Sequence, residues 1–106
     1  MTTVAIFSDV HANPLALEAV LADIHRRSVD LTFCLGDLVG YGPEPDRVVE
    51  IIRRAEIPTI LGNYDDGVGF ERGGCGCFYP DEKAQRIGAA SYDFTSRVLT
   101  PDAKTF

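Results

Sequence analysis

The sequence predicts an α/β fold built on a parallel sheet, and two observations support this class. Residues 3–8 read Thr-Val-Ala-Ile-Phe-Ser, a nearly continuous apolar run that is typical of a strand buried on both faces. Strand-like runs then alternate with amphipathic helical segments, which implies right-handed crossovers between parallel strands. We therefore predict a βαβαβ unit followed by a glycine-rich loop and a helix, within a single domain over residues 1–106.

The first helix is predicted from its start signal and its apolar spacing. Asn13 can cap the helix and Pro14 suits its first turn. The helix should run for about 14 residues to Arg26 and Arg27. Its apolar side chains recur at helical spacing: Leu17, Val20, Leu21 and Ile24.

The second unit repeats this plan. Residues 31–35 form the predicted second strand, residues 36–44 a loop, and a helix opens near Pro45. Residues 57–61 form the predicted third strand. The inner side of the second helix should carry four apolar residues: Val48, Val49, Ile51 and Ile52.

Glycine dominates the segment that follows Asp65. Five glycines fall within residues 67–76, which predicts a loop of about 14 residues without regular structure. A last long helix should begin near residues 80–82 and pack one face on the sheet. That face is predicted to contain Ala84, Ile87, Ser91, Phe94 and Val98.

The C-terminal residues carry a second helix-start signal. Thr100, Pro101 and Asp102 supply a cap, a first-turn proline and a first-turn acid, yet only four residues follow. From this we expect the domain to be truncated at its C-terminus.

Charge and composition exclude several classes of function. The net charge is −6 and only ten Lys and Arg are present, scattered along the chain, so a nucleic-acid surface is not expected. No apolar run reaches the roughly 18 residues of a membrane span, and no basic segment typical of a signal peptide precedes the first strand. A cytoplasmic location is the expectation. Cys34, Cys75 and Cys77 are expected to be reduced thiols without a metal.

Polar residues with ligand atoms follow each of the three predicted strands. Asp9 and His11 come after the first strand, Asp37 after the second and Asn63 after the third. Because ligands collect at the carboxyl ends of parallel strands, these side chains should face one cleft. Mixed oxygen and imidazole ligands suit manganese, iron, zinc or nickel better than calcium. Taken singly, Asp37 and Asn63 are better explained as turn formers or caps, but the set together favours metal binding.

Three ordered motifs in residues 3–66 resemble the first motifs of the calcineurin-like metallophosphoesterases: Asp9-x-His11, Gly36-Asp37 and Gly62-Asn63-Tyr64-Asp65. The resemblance implies the N-terminal half of a four-layer αββα sandwich. It also implies two divalent metal ions, manganese first and iron, zinc or nickel as alternatives, with Asp9 and His11 on one metal, Asp37 bridging and Asn63 on the second. Such a centre activates a hydroxide that hydrolyses phosphomonoesters or phosphodiesters, nucleotides among them.

The sequence departs from the family pattern at two points. Tyr64 stands where the family's third motif ordinarily has the His that protonates the leaving oxygen, so Tyr64 and Asp65 are expected beside the leaving group. The only histidines are His11 and His25, and the later Gly-His-x-His motif is absent. We therefore expect the 106-residue chain to be weakly active or inactive alone, and to associate with other copies through an exposed apolar sheet face.

The sequence leaves two alternatives to a phosphoesterase. A non-catalytic binding or scaffold module that keeps the same fold is the main alternative, since loss of the motif His is what it predicts. A dinucleotide-binding domain is poorly supported because no Gly-x-Gly-x-x-Gly follows the first strand.

Overall fold

The computed structural model describes residues 1–106 and confirms the α/β class. The elements in chain order are β1 (Val4–Phe7), α1 (Pro14–Arg26), β2 (Leu31–Cys34), α2 (Pro45–Arg54), α3 (Asn63–Gly69), α4 (Glu82–Val98) and α5 (Pro101–Thr105). Strands β1 and β2 pair in parallel, with Val4 opposite Leu31 and Phe7 opposite Cys34. None of the helices combines the length and the apolar character needed to cross a membrane.

The predicted helix starts are confirmed by their caps. The Asn13 side chain accepts a hydrogen bond from the Ala16 N–H at 3.1 Å, and Pro14 is the first residue of α1. The Asp81 carboxylate caps α4 in the same way. Thr100 caps the short helix α5, whose first residue is a proline. Each cap satisfies a backbone N–H that has no partner inside its helix.

The third strand predicted over residues 57–61 is wrong in its extent. The structure shows only an isolated parallel bridge between Cys34 and Thr59. The Pro58 carbonyl accepts from the Cys34 N–H at 3.0 Å, and the Ile60 N–H donates to the Cys34 carbonyl at 3.1 Å. Pro58 has no N–H of its own, and β2 is the only neighbour, so few ladder bonds can form.

The strands are buried on one face, and the prediction that they are covered on both is wrong. Val4, Ile6, Leu31 and Phe33 lie on one side of the β1–β2 pair and all are exposed, Ile6 to 63%. The expected apolar sheet face is therefore open. The core lies on the opposite side, because α1 and α2 cover only that face. Its ten buried residues are Leu17, Cys34, Leu38, Val39, Val48, Val49, Ile52, Tyr64, Val68 and Leu99.

The glycine-rich segment begins with a helix, which the glycine count did not predict. Helix α3 includes Gly67 and Gly69, and the irregular segment begins only after Phe70. A side chain at Gly67 would overlap the carbonyl oxygen of Gly74. The glycine is therefore required by the close approach of the following loop, and it is not a helix breaker here.

Helix α4 presents a different face from the predicted one. Ile87 is 61% exposed, and Phe94 and Val98 are exposed as well, whereas Gly88 and Thr95 are buried. The helix packs on α2 and α3. Gly88 lies directly against the Tyr79 ring, where a Cβ would overlap the ring carbons. Small residues rather than large apolar ones therefore define the contact, which is why apolar spacing alone gave the wrong side.

Candidate metal centre

Two loops at the carboxyl ends of β1 and β2 are joined by backbone hydrogen bonds. The Asp9 N–H donates to Gly36 O at 3.0 Å and the His11 N–H donates to Asp37 O at 3.0 Å. A third bond, 2.7 Å long, joins the Ala12 N–H to Leu38 O. As a result, Asp9, His11 and Asp37 each offer a ligand atom, and these atoms all lie within 4.8 Å of one another.

The ligand-bearing residues have left-handed backbone conformations. The φ angle is 59° at Asp9, 44° at His11 and 54° at Asp37. Residues other than glycine adopt this region at a cost of about 1–3 kcal/mol, and such residues concentrate at functional sites. The hydrogen bonds between the two loops hold this conformation in place.

His11 is oriented for ligation by its second ring nitrogen. Its Nδ1 lies 2.9 Å from the Val39 carbonyl oxygen, and because a carbonyl can only accept, Nδ1 carries the proton. Nε2 is then unprotonated in the neutral ring and lies 3.4 Å from Asp9 Oδ1. A backbone carbonyl that fixes the tautomer in this way is the usual support of a metal-bound histidine.

Gly36 and Gly62 allow the loops to approach Asp37 closely. Gly36 has a φ of 95°, and a Cβ there would lie 2.6 Å from Ile60 O. A Cβ on Gly62 would overlap the Asp37 carboxylate, whose Oδ1 accepts from the Tyr64 N–H at 3.0 Å. The two glycines therefore let the segments around residues 36 and 62 pack closely, and the Asp37 side chain is fixed where they meet.

Asp65 organises the backbone around Asp37. Its Oδ2 accepts from the N–H groups of Asp37 at 2.7 Å and Gly62 at 3.1 Å. Its Oδ1 accepts from Leu38 at 2.9 Å and Val39 at 3.3 Å. Burial raises the pKa of the Asp65 carboxyl, while these four N–H groups oppose the rise. All four oxygen contacts are to backbone, so Asp65 holds the loop that carries Asp37.

Asn63 is the first residue of α3, and its amide nitrogen is turned to the loop of Cys75 and Cys77, here called the cysteine loop. Asn63 Nδ2 donates to the Cys75 carbonyl at 3.0 Å and lies 3.5 Å from Cys77 Sγ. The amide nitrogen of Asn63 is therefore occupied by contacts within the chain, which leaves its side-chain carbonyl oxygen as the atom that could bind a metal.

Tyr64 is buried in the core. It is 1% exposed, and its hydroxyl lies 3.2 Å from Ser91 Oγ. Burial raises the pKa of the Tyr64 phenol above its usual value. The side chain lies behind the loop of Gly40, whose backbone contacts the Tyr64 ring.

The cysteine loop differs from expectation. Cys75 and Cys77 are joined by a disulfide with their Cα atoms 5.3 Å apart, so the prediction of free thiols is wrong for this pair. Gly76 between them has a φ of 74°, a left-handed conformation that glycine adopts readily. The spacing of the two cysteines in the sequence does not reveal this turn. Cys34 has no disulfide partner and is buried, and burial raises the pKa of its thiol.

Tyr41 is a residue of this site that was not singled out from the sequence. Its ring centroid lies 4.9 Å from that of His11, edge to face, and 5.1 Å from that of Tyr64. Its hydroxyl lies 2.9 Å from the Tyr79 hydroxyl. This hydrogen bond, followed by desolvation, raises the pKa of Tyr41 to about 12. The sequence feature that could have identified Tyr41 is the tripeptide Gly40-Tyr41-Gly42, in which a bulky residue lies between two glycines shortly after Asp37.

The donor set fits a divalent cation. It combines the carboxyl groups of two aspartates with an imidazole, and no Lys or Arg forms an ion pair with Asp9 or Asp37. Clustered carboxylates without a cationic partner repel one another, and a bound cation removes that repulsion. Oxygen ligands together with imidazole suit the first-row divalent metals.

Known proteins are similar to this chain in sequence and in fold. The chain is 49% identical over 65 residues to an uncharacterized protein of Methanocaldococcus jannaschii, a match that covers 61% of this chain and 27% of that protein. The crystal structure of a metallophosphoesterase from Sphaerobacter thermophilus superposes with a TM-score of 0.70 at 36% identity, covering 98% of this chain and 39% of that one.

A second crystal structure, of a protein proposed to be a diadenosine tetraphosphatase, superposes with a TM-score of 0.64 at 20% identity and shares the fold. It is covered to 46% by this chain, so the chain spans less than half the length of each of these three proteins. The sequence profile of the calcineurin-like phosphoesterases matches residues 2–103. The chain therefore belongs to the calcineurin-like phosphoesterase family.

Proposed function

We propose that this chain supplies half of the active site of a metal-dependent phosphoesterase. Its substrates are small phosphomonoesters or phosphodiesters, nucleotides among them. The observation that carries the proposal is the convergence of Asp9, His11 and Asp37, with Nε2 of His11 left free for a metal by the Val39 carbonyl. The chain spans 39% of the metallophosphoesterase to which it is similar, so the activity belongs to the protein with its complete ligand shell.

The proposed metal ligands are those expected from the sequence. Asp9 and His11 would hold the first metal, Asp37 would bridge, and Asn63 would hold the second through its amide oxygen. Manganese is the proposed metal. When bound, divalent ions supply Lewis acidity that polarises a phosphoryl oxygen and lowers the pKa of water.

The residues around the ligands have positioning roles in this proposal. Asp65 holds the Asp37 loop through four N–H groups. Tyr64 anchors its backbone N–H on Asp37 Oδ1 while its ring supports the loop at Gly40. That Tyr64 and Asp65 lie beside the leaving group stays a prediction.

The setting proposed for the protein follows from its composition and surface. The acidic chain with few scattered cations suits a cytoplasmic enzyme of small molecules better than a nucleic-acid-binding protein. The exposed apolar face of Val4, Ile6, Leu31 and Phe33 supports association with further protein, including other copies of the chain.

Hydrolysis of an aryl phosphate with and without Mn²⁺ tests the proposal. We expect manganese-stimulated turnover, weak for this chain alone, that falls at least tenfold in Asp37→Asn. Asp93→Asn is the matched control, because Asp93 pairs only with Arg97 on the surface of α4. Turnover that is independent of manganese, or that survives Asp37→Asn, would exclude this function.

A non-catalytic binding module is the second candidate. It is favoured by Tyr64, which stands at the position of the family's usual His and is buried against Ser91. Such a module would bind Mn²⁺ weakly or not at all and would show no turnover even with a complete ligand shell. Calorimetry with Mn²⁺ alongside the hydrolysis assay separates the two functions.

A further inference from the structure

We propose that Tyr41 is a substrate-contacting residue, whose phenol hydroxyl donates a hydrogen bond to a phosphoryl oxygen of the ester bound at Asp9, His11 and Asp37. The inference deepens the proposed function and rests on it. Four features of the loop that carries Tyr41 support the assignment.

The backbone on both sides of Tyr41 is fixed by close contacts. Gly40 has a φ of 92°, and a Cβ there would overlap the Tyr64 ring. A Cβ at Gly42 would overlap His11 O and approach the Ala12 carbonyl. The loop is therefore held between the buried Tyr64 ring and the backbone of the metal-binding loop, and neither glycine has room for a side chain.

Tyr41 itself has a left-handed backbone. Its φ is 62°, a conformation that is uncommon for an aromatic residue. Its N–H donates to Ser91 Oγ at 3.0 Å, which ties the loop to α4. Strained non-glycine residues that the surrounding structure holds in place are characteristic of binding sites.

The ring of Tyr41 lies against the candidate ligand His11 without being buried. The two ring centroids are 4.9 Å apart at an interplanar angle of 75°, and Tyr41 remains 52% exposed. A purely structural aromatic residue would gain more by burying this surface. The Tyr41 ring instead stays half exposed against the imidazole of a candidate metal ligand.

The hydroxyl group has donor capacity that the protein does not use. The Tyr41 and Tyr79 hydroxyls lie 2.9 Å apart and can share only one of their two hydrogens. The remaining neighbours are the sulfur atoms Cys77 Sγ, 3.9 Å from Tyr41, and Cys75 Sγ, 3.9 Å from Tyr79, which are weak acceptors. One O–H of the pair is thus available to a stronger acceptor.

A neutral hydrogen-bond donor would suit phosphate recognition next to Asp9, His11 and Asp37. No Lys or Arg pairs with Asp9 or Asp37, and these two candidate ligands are themselves acidic. Phosphoryl oxygens that a metal does not bind would need hydrogen-bond donors from the protein. A phenol satisfies one of them without adding charge.

The test is calorimetric titration of inorganic phosphate into the Mn²⁺-loaded protein, with wild type, Tyr41→Phe and Tyr79→Phe compared. Both variants remove the hydrogen bond between the two phenols, but only Tyr41→Phe removes the proposed donor. We expect the dissociation constant for phosphate to rise about tenfold in Tyr41→Phe and to change less than threefold in Tyr79→Phe. The Mn²⁺ affinity should be unchanged in both.

Equal losses in both variants would show a structural role and overturn the inference, as would unchanged phosphate binding in Tyr41→Phe or no phosphate binding by the wild type. The hydrolysis assay with Asp37→Asn judges the proposed function separately. Turnover that depends on Asp37, together with wild-type phosphate affinity in Tyr41→Phe, would remove Tyr41 from the site and leave the phosphoesterase proposal standing.

Discussion

Replacing Asp65 by Asn should destabilise the fold strongly although it changes a single atom. The carboxylate accepts four backbone N–H groups, two on each oxygen. An amide keeps an acceptor on one side only, and its NH₂ group then faces two N–H donors. Two charge-assisted hydrogen bonds are lost and two partly buried donors lose their partner.

The magnitude follows from these bonds. A hydrogen bond to a charged group contributes about 1.5–3 kcal/mol, so the loss of two predicts a fall of about 3–6 kcal/mol in the free energy of unfolding. Domains of this size have a total of about 5–15 kcal/mol, so the variant should lose a large fraction of its stability at 25 °C. Any molecules that remain folded should bind Mn²⁺ more weakly, because the Asp37 loop is released.

Urea denaturation followed by far-ultraviolet circular dichroism measures the effect. Asp66→Asn is the control, since the neighbouring Asp66 forms a partly exposed ion pair with Arg72 that should contribute about 0–1 kcal/mol. An Asp65→Asn variant within 1 kcal/mol of the wild type would refute the account of Asp65 as the support of the loop.

Three further variants or reagents test other parts of the structure. Gly62→Ala should lower the free energy of unfolding by about 1–3 kcal/mol because the new Cβ would overlap Asp37. Gly74 faces open space, so Gly74→Ala should change it by less than about 1 kcal/mol. Equal effects of the two variants in urea denaturation would count against the close packing of Gly62 on Asp37. Asn13→Ala should cost about 1 kcal/mol, measured the same way, through the lost cap of α1, and no loss would mean that the cap is not needed. Ellman's reagent should find no reactive thiol in the native protein, since Cys34 is buried with a raised pKa, one thiol in guanidinium, and three after reduction; more than one in unreduced guanidinium would contradict the disulfide.

The parts of the fold that were predicted from sequence depend on local chemistry. Caps such as Asn13 and Asp81 act within three residues of themselves, so their helices could be placed from the sequence. The convergence of Asp9 and Asp37 could be anticipated because parallel strands end at one edge of a sheet. The resemblance to a known family added the expectation of an incomplete shell.

The parts that were missed depend on contacts between distant segments. The buried side of α4 is set by Gly88 against Tyr79, a contact that apolar spacing does not encode. Gly67 could enter a helix because the later loop covers it. The tautomer of His11 and the place of Tyr41 depend on a carbonyl and a ring from other parts of the chain. Only coordinates reveal such pairings.

Titration of Mn²⁺ into the protein, monitored by electron paramagnetic resonance of the free ion, tests the central claim most directly. The account predicts saturable binding by the wild type and at least a tenfold weaker affinity in Asp37→Asn, with Asp93→Asn as the surface control. Binding that is equal in wild type and Asp37→Asn, or undetectable in the wild type, would contradict a metal centre formed by Asp9, His11 and Asp37.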